Sequence, residues 1–210
     1  MYSYFGISDT ADGEEVVKAA INRAYRDAAS HVLSFTNKDD KEDACKEAKK
    51  AIKDVVIKLT TYKKDFGIWH RYLLKDLLNI YKGYDFNDGY EFTLGIAQKW
   101  INMTMKYLQV IFCFSQAVGL KFQKNYSNMI ETYQNSFHVP IDSIILKAAK
   151  SDFHINCISE NWSKIKDYRK YKTFQKAIAT KIKKEEYGSP IDWESPKWME
   201  YSQKTKNHET

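Results

Sequence analysis

Glycine and proline are scarce in this chain: eight and three among 210 residues. Sandwiches and barrels need turn residues at regular short intervals, so the shortage favours helices over strands. Cysteine is scarce too. Cys45, Cys113 and Cys157 are odd in number, far apart and without C-x-x-C spacing. With no basic-then-apolar leader in MYSYFGISDTADG, this predicts a reducing, cytoplasmic setting and excludes a disulfide scaffold. No long apolar run is present. The most hydrophobic window, 100–120, is broken by Asn102, Lys106, Gln109 and Gln116, which predicts a buried helix and no membrane span. Phosphate loop, dinucleotide fingerprint, H-E-x-x-H and G-x-S-x-G are all missing, and no cofactor is expected. His138, His154 and Cys157 supply an H-x-x-C pair and one distant histidine but no second close pair, so no metal site is expected.

What is present is apolar bulk and positive charge. Hydrophobic residues make up 43% and aromatics 15%, enough to bury a core and exclude global disorder. Net charge is +6. Residues 1–90 balance at 15 basic and 15 acidic, whereas 91–210 hold 18 against 12. Between 164 and 184 nine basic residues face a single acid, Asp167. Such a stretch is either a solvated helix face or a seat for a polyanion, DNA first among them. Lys164, Lys166, Arg169, Lys170 and Lys172 are the expected phosphate contacts.

The apolar spacing predicts an all-α domain over 1–210, with lobes 1–85 and 90–200 meeting at the loop 82–92 and a frayed tail at 202–210. Helices are expected from Asp12 to about Phe35, after the turn NKDDKED, over 66–81, and from an N-cap at Thr93 through an almost wholly apolar central helix. A shorter helix near 121–136 leads to HVPIDSIILKAA, with Pro140 in a first turn and Asp142 just inside it. A basic helix over 162–186 follows, and Trp193 and Trp198 dock the tail.

Two residues stand out chemically. Lys99 lies one turn into the apolar central helix, where a lysine shielded from water can present a free amine as a nucleophile, or simply pack its stem and reach the surface. Asp142 stands in an apolar run, where a carboxylate is costly unless paired, capping a helix or working.

The segment Gly95-Ile96-Ala97-Gln98-Lys99-Trp100-Ile101-Asn102 resembles the G-(V/I)-G-x-K-(T/V)-A-(N/D) segment of helix-hairpin-helix DNA glycosylases. Pro140-Ile141-Asp142-Ser143 resembles their P-V-D motif. AQKWINMTMKYL is most similar to the corresponding helix of archaeal-type 8-oxoguanine glycosylases, and the wider pattern is similar to small bacterial and phage proteins. The hairpin departs from the family: Phe92-Thr93-Leu94-Gly95 has neither its proline nor its second glycine. The resemblance implies a glycosylase/lyase in which Lys99 attacks C1′ of a damaged or modified nucleoside and Asp142 accepts a proton or stabilises positive charge on the sugar. It also implies a flipped-base pocket, for which Trp69, Gln98, Asn102 and His138 are the expected lining. The competing expectation is a non-catalytic helical protein that binds nucleic acid or another protein.

Overall fold

The computed structural model describes residues 1–29, 33–62, 65–87, 90–185 and 187–206. The chain is all-α. Its helices are α1 (Tyr2–Phe5), α2 (Gly13–Ala28), α3 (Lys38–Thr61), α4 (Phe66–Lys82), α5 (Leu94–Ala117), α6 (Lys124–Tyr133), α7 (Ser143–Phe153), α8 (Tyr168–Lys184) and α9 (Pro190–Lys206). The only β-type pairing among the described residues is one isolated bridge, Phe35 to Phe86.

Local chemistry sets the helix starts. Asp12 and Glu15 form a reciprocal capping box on α2, and the side chains of Asn37, Asp65 and Thr93 cap α3, α4 and α5. The expected first helix is too long, since α2 stops at Ala28. Phe35 leaves the helical path to join an aromatic cluster with Tyr81, Tyr84 and Phe86. Residues 30–32, and 88–89 of the expected inter-lobe loop, lie outside the described residues, as do 207–210 of the expected tail. Helix α9 runs on to Lys206.

Helix α5 is the central post, with α2 laid along it. Trp100 is fully buried and donates its indole N–H to Ile21 O of α2 at 3.2 Å. Along the outside, α9 closes the fold by burying Trp193 against Phe153, ring centroids 5.1 Å apart. Burying an aromatic of that size contributes on the order of 2–3 kcal/mol.

The segment from Phe137 to Ile141 runs extended through the interior without a strand partner. Its backbone polar groups still need partners. Two glutamine side chains supply them. Gln98 accepts from Ile141 N at 3.1 Å and donates to Ile141 O at 2.9 Å. Gln175 does the same for Val139, at 3.1 and 2.8 Å. Each primary amide imitates one rung of a sheet, and the clamped chain delivers Asp142 to its place. Pro140 is therefore not in a helical first turn: Asp142 itself is the N-cap of α7, and Pro140 lies in the clamped extended stretch.

Behind the clamp lies a buried polar cluster. His70 Nε2 donates to Asn102 Oδ1 at 2.8 Å, and Tyr171 Oη meets His138 Nδ1 at 2.6 Å. His70 Nδ1 is buried without a partner among the described residues. Burial, against the bond to Asn102 and aided by Lys172, pushes His70 down from 6.5 to about 4, and burial lowers His138 well below its usual range. The folded value lies below the unfolded one, so this contribution is complete above pH 6.5 and is lost as pH falls towards 4. From His70 alone the loss is about 3 kcal/mol. Urea titrations between pH 7 and pH 4.5 should show it, and His70→Gln should flatten the dependence. Equal slopes in the two proteins would refute the assignment.

Candidate active site

Lys99 and Asp142, distant in sequence, meet. Lys99 Nζ lies 3.4 Å from Asp142 Oδ2, and both side chains are nearly enclosed, at 12% and 11% exposure. Each oxygen of the aspartate has its own duty. Oδ1 accepts the N–H of Ile145 at 2.9 Å and caps α7. Oδ2 faces Lys99 and accepts the indole N–H of Trp198 at 3.0 Å. On its other side the Lys99 ammonium sits 4.4 Å from the ring centroid of Trp162. A cation over an indole face gains about 0.5–2 kcal/mol, so the amine is placed by one aromatic ring and one carboxylate, which Trp198 holds in turn.

Gly95 makes this arrangement possible. One turn before Lys99 on α5, it lets the 3₁₀ turn Trp162–Lys164 approach so closely that a Cβ there would stand 1.8 Å from Trp162 O. Its N–H donates to Ile165 O at 2.9 Å, and Thr93 Oγ1 donates to Ser163 O at 2.6 Å. The Gly95 amide is thus engaged in holding the turn that carries Trp162 over Lys99.

The pair opens into a cavity of about 390 Å³ lined by Tyr4, Arg23, Asp27, Met103, Lys106, Tyr107, Glu194 and Trp198. That volume is within the range of about 300–1,000 Å³ usual for small-ligand sites. Its charges cancel in three pairs. Arg23 meets Asp27 at 3.1 Å, Lys106 meets Glu194 at 2.6 Å, and Lys99 meets Asp142. Tyr107 donates to Asp27 through a very short hydrogen bond. Burial first, then that bond, raises the phenol, so it stays protonated and a donor. Burial also holds the Glu194 carboxyl above the usual carboxylate range; Lys106 opposes the rise and Asp142 adds to it.

The two cavity lysines are not equivalent. Lys106 is tied to Glu194 at a distance typical of a strong charge-assisted bond, whereas the Lys99 contact exceeds the roughly 2.7–2.9 Å of such bonds. Of the two amines, Lys99 is the one held by the longer contact.

The other expected site residues lie elsewhere. Gln98 and Asn102 are fully buried in the clamp and polar cluster, with Asn102 donating to Gln98 Oε1 and Val139 O. His138 belongs to that cluster, and Trp69 is half-buried on α4 against the core. None of the four lines the cavity. Helix α8 starts at Tyr168, capped by Asp167, so Lys164 and Lys166 precede it. Lys164, Lys166, Arg169 and Lys170 are exposed and Lys172 is half-buried. Lys166 pairs with Glu91 and Lys170 with Glu160, and among the described residues α8 contributes nothing to the cavity. Sequence reasoning missed Trp162, Tyr4, Tyr107 and Glu194, which come from separate elements and share no local signature.

Among the described residues, no cluster of three or more His, Cys, Asp or Glu is placed to hold a metal, and no helix is long and apolar enough to cross a membrane. Compared with protein-family models, curated proteins and solved structures, the chain shows no match.

Proposed function

We propose that this protein is a DNA-acting glycosylase/lyase that uses the Lys99 amine and the Asp142 carboxylate. The loosely held Lys99–Asp142 pair at 3.4 Å, facing an aromatic-walled cavity, carries the reading. The Lys99 ammonium first gives up its proton, with Asp142 Oδ2 the nearest acceptor. The amine lone pair then attacks C1′ of a nucleoside turned out of the stack. The C1′–N bond breaks with its electron pair going to the base, which leaves and takes up a proton. Opening of the sugar ring gives an imine between Lys99 and C1′, and loss of a proton from C2′ expels the 3′ phosphate and cuts the strand. Tyr4, Tyr107 and Trp198 offer ring faces and edges to an extruded base. The resemblance of the two segments to glycosylase motifs supports the assignment, and the three unpaired cysteines fit work on bacterial or phage DNA in a reducing cytoplasm.

Borohydride converts such an imine to a stable secondary amine. Protein incubated with duplex DNA carrying an abasic site or 8-oxoguanine and then reduced is expected to yield a covalent adduct. In Lys99→Met the adduct should fall at least 10³-fold, because the attacking atom is gone. Absence of any adduct from the wild-type protein would sink the lyase chemistry. One observation favours a second reading: every charge in the cavity has an opposite partner, as in a site whose task is structural. On that reading the protein binds nucleic acid without chemistry, and DNA binding persists with no adduct.

A further inference from the structure

The chain's first 90 residues are neutral by count, yet folding sorts their charges by face. Lys18 and Arg26 on α2, and Lys38, Lys41, Lys46 and Lys49 on α3, line two open depressions of about 600 and 630 Å³. The depressions share Lys18, Asn22, Tyr25 and Lys49, so they form one groove between the helices. Among the described residues only two carboxylates line it, Glu15 and Glu42, and Glu15 is engaged with the Asp12 N–H in the α2 capping box. Asp40, Asp43 and Glu47 gather instead on the side of α3 near Tyr84. Lys18, Lys38, Lys41 and Lys46 form no ion pair with any described residue. In the floor, Lys49 lies 5.0 Å from the ring centroid of Tyr25.

The groove leads to the candidate active site. Tyr4 lines both the groove and the Lys99 cavity, and the Arg23 guanidinium sits 4.2 Å from its ring centroid. Lys38 to Lys49 covers about 16 Å of helix axis at about 1.5 Å per residue, which matches roughly five steps of B-DNA at about 3.4 Å each. Of the described cations on and before α8, none lines the Lys99 cavity, and two are neutralised by Glu91 and Glu160. We infer that the α2–α3 groove carries the phosphate backbone of the DNA strand whose nucleoside enters the Lys99–Asp142 cavity. The inference rests on the proposed DNA chemistry for the identity of its ligand.

Fluorescence anisotropy with an abasic-site duplex tests it without depending on catalysis. The triple variant Lys18→Gln/Lys41→Gln/Lys49→Gln, checked for folding by circular dichroism, should bind on the order of 10- to 100-fold more weakly at moderate salt. Its slope of log affinity against log salt should shrink by about 2.7, about 0.9 for each phosphate that is no longer neutralised. The matched variant Lys164→Gln/Arg169→Gln/Lys170→Gln should change binding less than threefold. The reverse pattern would overturn the inference, as would a wild-type protein that binds no DNA or binds polyglutamate equally well. Groove-dependent binding without a borohydride adduct keeps the groove and removes the lyase. An adduct formed undiminished by the groove variant keeps the lyase and removes the groove.

Discussion

Asp142→Asn and Asp142→Ala are expected to slow adduct formation by the same factor, about 10²-fold or more, while differing in stability by about 1 kcal/mol. The reason lies in the division between the two carboxylate oxygens. Oδ1 caps α7 through Ile145 N, and Oδ2 faces Lys99 Nζ and the Trp198 indole. Asparagine retains a capping oxygen but turns an amide nitrogen towards two donors. Alanine loses the cap as well. Both variants therefore lose the proton acceptor beside the amine, and both leave a nearly enclosed ammonium with only the Trp162 face opposite it. Removing one partner of a buried pair costs about 3–5 kcal/mol, an upper bound here because the pair borders a cavity. Single-turnover trapping rates and urea midpoints, measured on the same preparations, separate the two duties. If Asp142→Asn traps DNA at the wild-type rate while Asp142→Ala does not, Asp142 acts through its cap alone and the carboxylate has no chemical role.

Legibility from sequence follows the distance over which each interaction acts. Helices and caps are local, so the spacing around Ala44, Ala48 and Ile52 and the Thr93 cap could be read directly, and they appear in α3 and α5. The ends of α2 and of α8's lead-in could not. Phe35 answers to Phe86 and Tyr81, and Trp162 to Gly95, all remote in the chain. Lys99 and Asp142 could be picked out because each violates its apolar surroundings, and a resemblance linked them. Gln98 and Asn102 violate theirs for a different reason. An extended segment crossing a helical core has no sheet to pair with, and side-chain amides replace it. A polar residue on an apolar helix looks the same in sequence whether it serves a ligand or a buried backbone. Charge is misleading in the opposite way. The eye finds the run at 164–184, whereas α2 and α3 hide a face of six cations and two carboxylates within a neutral count, with Asp40, Asp43 and Glu47 gathered on another side.

Gly95→Ala should test how tightly the fold is committed to that placement of Lys99. The new methyl carbon would lie 1.8 Å from Trp162 O, 3.0 Å from Trp162 C and 3.3 Å from Ile165 N. All three are backbone atoms, so no side chain can swing away, and the 3₁₀ turn must retreat from α5. Retreat strains two hydrogen bonds, Gly95 N–H to Ile165 O and Thr93 Oγ1 to Ser163 O, each contributing about 1 kcal/mol. Overpacking adds about 1–3 kcal/mol, against which alanine's better helix propensity returns about 1 kcal/mol. The net loss is about 2–4 kcal/mol, a fall in Tm of roughly 4–16 °C for a chain of this size. Gly83→Ala is the control, since its nearest neighbour would be Ile80 O at 4.0 Å. Trapping should suffer more than stability in Gly95→Ala, because the retreating turn carries the Trp162 ring away from Lys99 Nζ and admits water beside the amine. A Gly95→Ala protein as stable as Gly83→Ala, with an unchanged trapping rate, would show that the close approach of Trp162 is incidental. A protein that melts only slightly earlier yet traps at least tenfold more slowly would show that the glycine positions the nucleophile.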